Sequence, residues 1–381
     1  MAREKHIFLV AGEESGDHHG AQLVRQIRRL EPSVRFSGLG GPRMEREGVF
    51  LLEDLTRYAV MGISQVIGQL GTFVHLLRRA IHYLWREGPD LVVLIDYPGF
   101  NLALAKRIQR YGIPIFYYIS PQVWAWAAWR IKKMARWVRK MLVILPFEEE
   151  LFRGAGLEVE YVGHPTIDFL GKGDFHKDVP SLIQRKKKEG RLIGLLPGSR
   201  RKEIRQNLPL MLRVAERLKR REEKLQFLIA AASPEIYRLI LSLQRGGEFE
   251  VDVMLEKAHY LMAHSHFCLV TSGTATLELT YFATPMVILY RVDWISKQFC
   301  RYFLSVSHIG LPNILAGREI VPEFLISSDE VDRVEAAAWE LISSRQRRLD
   351  CVRELREVKE GLEKRTNASA NAARAVVEFL F

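Results

Sequence analysis

LVVLIDYPGFN, residues 91–101, is an apolar strand pattern that ends abruptly on an acid and a Pro-Gly turn. Leu91–Ile95 predicts a buried strand, because consecutive apolar residues leave no polar face for solvent. Asp96 follows at the carboxyl end of this strand, and Pro98-Gly99 then precedes a helical pattern. The segment predicts a strand–turn–helix unit with a carboxylate at the edge where open α/β sheets bind ligands. The alternative is that Asp96 only caps the helix.

The alternation of short apolar strands and helical patterns continues on both sides of this segment. In the first half, the predicted strands are His6–Ala11, Val34–Gly38, Leu91–Ile95, Ile115–Ile119 and Met141–Leu145. A polar, lysine-rich stretch at 171–190 predicts a connector. The predicted strands beyond it are Leu192–Leu196, Gln226–Ala230, His266–Val270 and Met286–Leu289. Such alternation predicts an α/β protein with two facing, doubly wound, Rossmann-like domains.

The predicted boundaries follow from this pattern. An N-terminal Rossmann-like domain would span 1–168, and a second would span 169–345. The remaining segment, 346–381, is charged, helical in pattern and free of proline. We expect it to form a helical tail that packs across the domains or onto a partner subunit.

Composition limits the classes of partner and compartment. The 381 residues include 56 Lys and Arg against 45 Asp and Glu, a formal charge of +11. This balance favours phosphate groups, anionic lipid or nucleic acid as partners, although a generally basic surface would also explain it. The three cysteines, Cys268, Cys300 and Cys351, form no C-x-x-C pair. They argue against a disulfide framework or zinc site and suit a reducing cytoplasm.

One predicted strand of the second domain runs into Gly198, Ser199 and Arg200. Backbone N–H groups and a guanidinium at such a strand end are suited to phosphate. Neither a Walker A loop nor a dinucleotide fingerprint is present, so ATP hydrolysis is disfavoured. No D-x-D occurs in the chain, so no metal is expected to bridge a diphosphate.

Another strand of this domain runs into Ser272, Gly273 and Thr274, which open a helix whose N-terminus suits an anion. Glu278 lies about one turn inside and would reach the hydroxyls of a ribose. A glutamate in a first turn also suits the helix dipole without any ligand. Two phosphate-competent strand ends together indicate a nucleoside diphosphate.

Polar residues also follow the first strand of the chain, in the segment AGEESGD at 11–17. Glu13 and Ser15 with Gly16 suggest a pocket for sugar hydroxyls, because the adjacent acids would repel a diphosphate. The alternative is a plain turn whose polar side chains cap the next helix.

Two further segments suggest contact with a bilayer surface. Residues 58–77 carry no charge, and apolar side chains including Val60, Met61, Ile67 and Phe73 exceed what one buried helix face needs. The polar residues and glycines of segment 58–77 argue against a membrane span. Trp124, Trp126 and Trp129 precede a basic helix, as at membrane interfaces. A core-facing helix, tryptophans packed under their loop, or binding of single-stranded nucleic acid are the alternatives.

Nine short motifs run along the chain: AGEESGD at 11–17, AVMGISQVIG at 59–68, IDYPGFN at 95–101, SPQVWAW at 120–126, LPFE at 145–148, VGHP at 162–165, LPGSR at 196–200, SGTATLE at 272–278 and LPNILAGRE at 311–319. Taken together, these motifs resemble those of bacterial lipid A disaccharide synthases, which are glycosyltransferases of the GT-B architecture. Each is short, and their shared order and spacing carry the resemblance.

The resemblance implies an inverting transfer of sugar from UDP-2,3-diacylglucosamine to 2,3-diacylglucosamine 1-phosphate. The products would be the β-1,6-linked lipid A disaccharide 1-phosphate and UDP, a step of lipopolysaccharide biosynthesis. It also implies a peripheral protein at the cytoplasmic face of the inner membrane, in some members a homodimer through the C-terminal region. No cofactor and no nucleic acid are implied. A UDP-sugar epimerase of the same architecture is the alternative.

The resemblance also assigns roles to residues of this chain. Asp96 falls on the general base of the family and Arg200 on the arginine that contacts the nucleotide. Glu278 matches the glutamate near the ribose. Asn313 matches the asparagine of the LPN motif and is expected to contact the nucleotide. The resemblance thus gives the acceptor and membrane side to the first domain and the UDP-sugar side to the second. His164, in VGHP, falls in the acceptor or sugar pocket, with a structural role at the domain junction as its alternative. With acylated substrates, the apolar and tryptophan-rich segments favour membrane contact.

Overall fold

The computed structural model describes residues 4–59, 66–126, 129–245, 247, 249–291, 308–327 and 329–381. For residues 59, 66–70, 125 and 126 only the backbone is described. The chain forms two compact units, one of Met1–Asp168 with Leu362–Phe381 and one of Phe169–Gly361. Within the described ranges, no helix is both long enough and apolar enough to cross a membrane.

Each unit is built on one parallel sheet. In the first unit the described strands are β1 His6–Ala11, β2 Arg35–Gly40, β3 Phe50–Asp54, β4 Leu91–Ile95, β5 Ile115–Tyr118, β6 Lys140–Val143 and β7 Glu158–Tyr161. In the second they are β8 Arg191–Leu196, β9 Leu225–Ala231, β10 Asp252–Leu255, β11 Phe267–Thr271, β12 Met286–Arg291 and β13 Glu323–Ile326. The orders are β3-β2-β1-β4-β5-β6-β7 and β10-β9-β8-β11-β12-β13. Both follow the Rossmann pattern, in which the strand order reverses beside the first strand.

Helices connect and cover these strands. They are α1 Glu14–Leu30, α2 Pro42–Arg46, α3 Thr56–Ala59, α4 Val66–Glu87, α5 Pro98–Ile108, α6 Val123–Trp126, α7 Trp129–Met134, α8 Pro146–Arg153, α9 Pro165–Lys172, α10 Ser181–Glu189, α11 Arg201–Arg221, α12 Pro234–Gln244, α13 Ala258–His264, α14 Thr274–Tyr281, α15 Leu311–Ala316, α16 Val331–Ser343, α17 Arg345–Glu363 and α18 Ala368–Leu380. A short 3-10 helix, Gln109–Tyr111, follows α5.

The core of each unit explains why its central strands read as apolar runs. Every residue of β1 and β4 is buried, since helices cover both faces of the sheet. In the second unit, β11 and all of β8 except Arg191 are buried in the same way between α11 and the other covering helices.

The predicted C-terminal tail is divided between the two units. Residues 346–361 belong to the second unit and 362–381 to the first. Helix α18 packs against α1, and its buried stripe includes Ala372 and Val376. The Asp168 carboxylate accepts the N–H groups of Asn367 and Ala368, both at 2.6 Å, and so caps the start of α18. The final helix is therefore an integral part of the first unit.

The predicted connector at 171–190 contains a helix that its composition concealed. Helix α10 occupies Ser181–Glu189, and Ile183 anchors it by packing into the core of the second unit. Apart from Leu182 and Ile183 the helix is polar, so no helical stripe marks it in the sequence.

Candidate active site

The turn after β4 holds Asp96 in a strained conformation. Asp96 and Tyr97 have φ angles of 44° and 46°, in the left-handed region that costs a non-glycine residue about 1–3 kcal/mol. The Asp96 carbonyl accepts hydrogen bonds from the Tyr117 hydroxyl at 2.5 Å and from Asn101 Nδ2 at 2.7 Å. These bonds, with the helix start at Pro98, fix the direction of the Asp96 side chain.

The contact between Gly12 and Tyr97 explains why a glycine follows β1. The Tyr97 ring lies over Gly12, where an added Cβ would come within 2.1 Å of a ring carbon. Only glycine after β1 therefore allows the strained turn after β4 to close against it. The two motifs that contain these residues are thus joined at neighbouring strand ends.

The environment of Asp96 raises the pKa of its carboxyl from 3.8 to about 6. Burial is the main cause, because it penalises the charged form, and the nearby Glu13 carboxylate adds repulsion. A hydrogen bond from the backbone of Tyr97 acts in the opposite direction. A half-buried carboxylate with this pKa is suited to accept a proton near neutral pH.

The other residues of AGEESGD divide between surface and framework. Glu13 and Ser15 are exposed, while Gly16 is buried against Ala11, with 3.4 Å between the position of an added Cβ and the Ala11 Cβ. The Asp17 carboxylate accepts N–H groups of Gly41 and Met44 at 2.9 and 3.0 Å. Asp17, which lies on α1, therefore caps the start of α2 and links the two helices.

His164 lies buried at the start of α9. Its Nδ1 accepts the N–H of Thr166 at 3.2 Å. Burial and the neighbouring His19 lower the pKa of His164 to about 3, so the ring is neutral. This arrangement gives His164 a capping role, and its contact with a sugar stays a prediction.

A buried acid that the sequence did not single out joins two motifs. Glu148 of LPFE is 1% exposed and accepts hydrogen bonds from the Ser120 hydroxyl and the Trp124 indole N–H, the latter at 2.9 Å. The N–H of Leu145 donates to its other oxygen at 3.1 Å. Burial raises the pKa of Glu148 to about 7. Glu148 therefore organises the loop after β5.

This network corrects one predicted membrane contact. Trp124 is 5% exposed and packs edge-on against Phe147, with ring centroids 4.9 Å apart. A buried indole whose N–H is bonded internally cannot enter a bilayer. Trp124 therefore falls outside the proposed membrane surface.

The other predicted membrane residues differ in what the structure describes. Val60 and Met61 lie outside the described residues, as do the side chains of Ile67 and Trp126. Phe73 is half-buried and contacts Phe100, with centroids 5.2 Å apart.

Among the side chains of this set that the structure describes, Trp129 is the exposed aromatic residue. Its side chain is 59% exposed. Lys133 Nζ lies 4.4 Å from the centre of its ring, and the Arg130 guanidinium lies 5.3 Å away. Trp129 thus presents an aromatic face flanked by cations.

In the second unit, a cavity of about 420 Å³ lies at the carboxyl ends of β8, β9 and β11. Its lining contains the nucleotide-binding residues predicted at both strand ends. They are Gly198, Ser199, Arg200, Ser272, Gly273, Thr274 and Glu278. The parallel register of β8 and β11 brings these loops together. Both predicted strand ends therefore contribute to one cavity.

The loop after β8 is shaped as an anion site that an internal carboxylate occupies. Gly198 has a φ of 115°, and an added Cβ would lie 2.6 Å from Glu203 Oε2. That oxygen accepts the N–H groups of Ser199 and Arg200 at 3.2 and 3.3 Å. The Arg200 guanidinium pairs with Glu203 Oε1 at 2.9 Å, and its side chain is 80% exposed. A phosphate group would offer the same donors a stronger acceptor.

The loop after β11 supplies the second positive element. Helix α14 begins at Thr274, directly after Gly273, and an added Cβ at Gly273 would meet nothing within 4 Å. This open helix N-terminus faces the cavity with its partial positive charge. Glu278, one turn inside, lies 3.5 Å from His259 Nε2.

His259 lines the same cavity and was not predicted. Its ring contacts those of Phe169 and Phe175, at centroid distances of 5.5 and 5.4 Å. The two aromatic rings fix its orientation toward Glu278. No local motif marks His259, because its role depends on residues far apart in the chain.

Asn313 does not line this cavity. It is fully buried, and its amide nitrogen donates to Val321 O at 2.9 Å and to Glu323 at 3.0 Å. Its oxygen accepts the N–H groups of Ile320 and Val321. These bonds hold the turn between α15 and β13, and the predicted nucleotide contact of Asn313 stays a prediction.

The chain is similar in sequence to known proteins along nearly its whole length. A family model described as Lipid-A-disaccharide synthetase matches residues 7–377. The lipid-A-disaccharide synthase of Nitrosococcus oceani is 35% identical over 372 residues, covering 98% of this chain and 94% of that protein. The lipid-A-disaccharide synthase of Syntrophus aciditrophicus is 38% identical over 376 residues, with 94% of each chain covered.

Solved structures share the fold at low sequence identity. The glycotransferase of kitacinnamycin superposes with a TM-score of 0.62 at 14% identity, over 100% of both chains. A UDP-GlcNAc 2-epimerase from Neisseria meningitidis bound to UDP-GlcNAc has a TM-score of 0.57 at 13% identity, covering 98% of this chain and 99% of that one. The predicted α/β GT-B architecture is confirmed. By the match along nearly its whole length, the chain belongs to the lipid-A-disaccharide synthetase family.

Proposed function

We propose that the protein is an inverting glycosyltransferase that transfers 2,3-diacylglucosamine from UDP to 2,3-diacylglucosamine 1-phosphate. The product is the β-1,6-linked disaccharide 1-phosphate, and UDP is released. The observation that carries this proposal is the cavity of the second unit, in a member of the lipid-A-disaccharide synthetase family. It combines cationic, backbone and carboxylate groups in the order that a nucleoside diphosphate requires.

In this proposal the cavity of the second unit binds the UDP portion of the donor. The N–H groups of Ser199 and Arg200 and the N-terminus of α14 bind the diphosphate. The Arg200 guanidinium leaves Glu203 and forks onto a phosphate, which its exposure permits. Glu278, oriented by His259, accepts hydrogen bonds from the ribose hydroxyls.

Asp96 acts on the acceptor. The acceptor 6-hydroxyl attacks the anomeric carbon from the face opposite UDP. As that bond forms, the hydroxyl proton passes to the Asp96 carboxylate, because an alkanol is a weak nucleophile. The raised pKa of Asp96, about 6, makes it a stronger base than an ordinary aspartate while leaving it ionised at neutral pH.

The leaving group is stabilised by the second unit. The bond between the anomeric carbon and the β-phosphate oxygen breaks, and its electron pair stays on UDP. The negative charge that develops there meets Arg200 and the helix N-terminus. Donors placed where charge develops lower the barrier more than they stabilise the bound substrate.

Peripheral contact with an anionic lipid surface, at the cytoplasmic face of the inner membrane, completes the proposal. Both substrates carry acyl chains, and the exposed Trp129 with Lys133 and Arg130 suits a headgroup region. In flotation with phosphatidylglycerol vesicles, Trp129→Ala is expected to weaken binding several-fold. Trp85→Ala, which removes another indole of 65% exposure, is the control. Equal binding by both variants and the wild type would exclude Trp129 from the membrane surface.

The decisive assay is incubation of the purified protein with both acylated sugars, followed by mass analysis. We expect the disaccharide 1-phosphate to form only when donor and acceptor are both present. A changed UDP-sugar without acceptor would instead indicate an epimerase. Absence of any disaccharide, with the protein folded and lipid or detergent supplied, would reject the proposed transfer.

A further inference from the structure

A second cavity lies at the opposite edge of the same sheet, where β8 and β11 begin. Its volume is about 400 Å³, and it is bounded by the ends of α13 and α14 and by one side of α17. The strand β8 spans 6 residues, so at roughly 3.3 Å per residue the two cavities are about 17 Å apart. The second cavity is therefore separate from the proposed nucleotide site.

The charged side chains that line this cavity are all basic. They are Lys187, Arg191, Arg348 and Arg356, accompanied by His264 and His266. No carboxylate is among its lining residues in the described part of the chain. Such a concentration of one sign of charge in a concave site raises the local concentration of anions.

Two of these cations are already used within the protein. Arg191 forms an ion pair with Glu222. Lys187 Nζ lies 3.1 Å from His264 Nδ1, and His264 Nε2 lies 3.0 Å from the carbonyl oxygen of Phe175. These bonds fix Lys187 and His264 at the C-terminal end of α13, where both residues line the cavity.

Arg348 and Arg356 are not used in this way. Both lie on α17; Arg348 is half-buried and Arg356 is exposed. Neither forms an ion pair with any residue in the described ranges. Both guanidinium groups therefore add positive potential to the cavity without an internal counter-charge. Their planar donor pairs match the oxygens of a phosphate.

His266 adds a polar atom that lacks a partner. Its Nε2 is buried and forms no hydrogen bond with the described residues. Burial, with repulsion from Arg348 and Arg191, lowers the pKa of His266 to about 4, so the ring is neutral. Because the ring N–H is used at the Ile342 carbonyl, Nε2 is left as an acceptor. It suits an anion that still carries a proton.

We propose that this basic cavity binds a phosphate oxyanion, held by Arg348 and Arg356 and oriented by a P–O–H bond to His266 Nε2. Hydrogen phosphate meets this requirement, because HPO4²⁻ keeps one exchangeable proton at neutral pH. A phosphomonoester meets it as its monoanion, which is favoured below its second pKa of about 6. Sulfate has no such proton. The phosphate can come from a soluble compound or from a phosphomonoester lipid headgroup, and the chemistry of the cavity is the same for both.

Calorimetric titration with inorganic phosphate tests the soluble source. The titration uses Arg200→Ala protein as the background, so that phosphate in the nucleotide cavity does not contribute. We expect Arg348→Ala, and separately Arg356→Ala, to weaken binding about tenfold or more. Arg353→Ala is the control, because Arg353 lies on the same helix, pairs with Asp350 and does not line the cavity. Sulfate should bind more weakly than phosphate at equal ionic strength.

Flotation with vesicles of phosphatidylcholine, with and without phosphatidic acid, tests the lipid source. Binding that needs phosphatidic acid and is lost in Arg348→Ala but kept in Arg353→Ala supports the proposal with a lipid ligand. The proposal is overturned if neither probe binds, or if the arginine variants and the control bind alike. Equal affinity for sulfate and phosphate would overturn the assigned role of His266. None of these readouts depends on glycosyl transfer.

Discussion

The turn at Asp96 and the cavity at Arg200 both lie at carboxyl ends of Rossmann-like sheets, yet they are built in opposite ways. Asp96 is half-buried, strained and fixed by bonds from Tyr117 and Asn101. Arg200 is 80% exposed, and in the described part of the chain its guanidinium pairs with Glu203 alone. The protein therefore fixes the acid in advance and leaves the cation exposed, where it can exchange Glu203 for a ligand.

This difference follows from what each group would do. A base must be held within hydrogen-bond reach of one hydroxyl. A strained backbone turn that fixes the direction of the Asp96 side chain therefore increases the rate. A cation that stabilises a departing diphosphate must follow a charged group that moves away.

Asp96→Asn should lower kcat about 10³-fold, since it removes the proton acceptor. Asparagine tolerates the left-handed turn, so the fold should be kept. The folded-state pKa of Asp96, about 6, lies above its ordinary value. Ionisation of Asp96 above pH 6 therefore opposes folding, and the variant should unfold at an equal or higher temperature at pH 8. Near wild-type turnover by a folded variant would exclude Asp96 as the base.

Arg200→Ala should lower kcat/KM about 10²- to 10³-fold, as for other groups that stabilise a developing anion. Arg201→Ala is the matched control. Arg201 is the next residue, pairs with Glu235 and does not line the cavity, so its loss should change kcat/KM by less than about threefold. Equal losses in the two variants would mean that only general positive charge matters.

The pH profile of kcat/KM should show an acid limb near the pKa of Asp96, about 6. Activity should fall as the pH drops through this value, because protonation removes the base. Glu13→Gln should move the limb to lower pH, since the Glu13 carboxylate helps to raise that pKa. An unmoved limb in Glu13→Gln would assign it to another group.

Glu203→Gln should lower the KM for the donor by about two- to fivefold, the smallest of the effects. The substitution removes a negative charge that competes with the diphosphate for Arg200, and exposed pairs of this kind contribute about 0.2–1 kcal/mol. Steady-state kinetics with varied donor measures the change. A higher KM would show that Glu203 positions the loop instead of competing with the ligand.

The strands that the sequence did not predict share one property. β3, β7, β10 and β13 are the outer strands of the two sheets. A strand at an edge is partly solvated, so its segment need not be a continuous apolar run. FLLED and EVEY carry acids for this reason. The central strands, buried on both faces, were all predictable from their apolar runs.

The site residues divide in a similar way. Residues in one loop after one strand, such as Gly198 and Arg200, were predictable because strand ends of a parallel sheet converge. His259 and Glu148 were not, since each acquires its role from partners distant in the chain. Trp124 was predicted to contact the membrane but is buried. A tryptophan beside basic residues gives the same sequence pattern whether its side chain is buried or exposed.

UDP binding and single-turnover activity can be measured on the same Asp96→Asn and Arg200→Ala proteins. Together they test whether Asp96 accepts the proton while the second unit binds UDP. We predict that Asp96→Asn binds UDP as the wild type does yet forms almost no disaccharide, whereas Arg200→Ala loses at least tenfold in UDP affinity. Loss of UDP affinity in Asp96→Asn, with wild-type affinity in Arg200→Ala, would contradict the division between a fixed acid and an exposed cation.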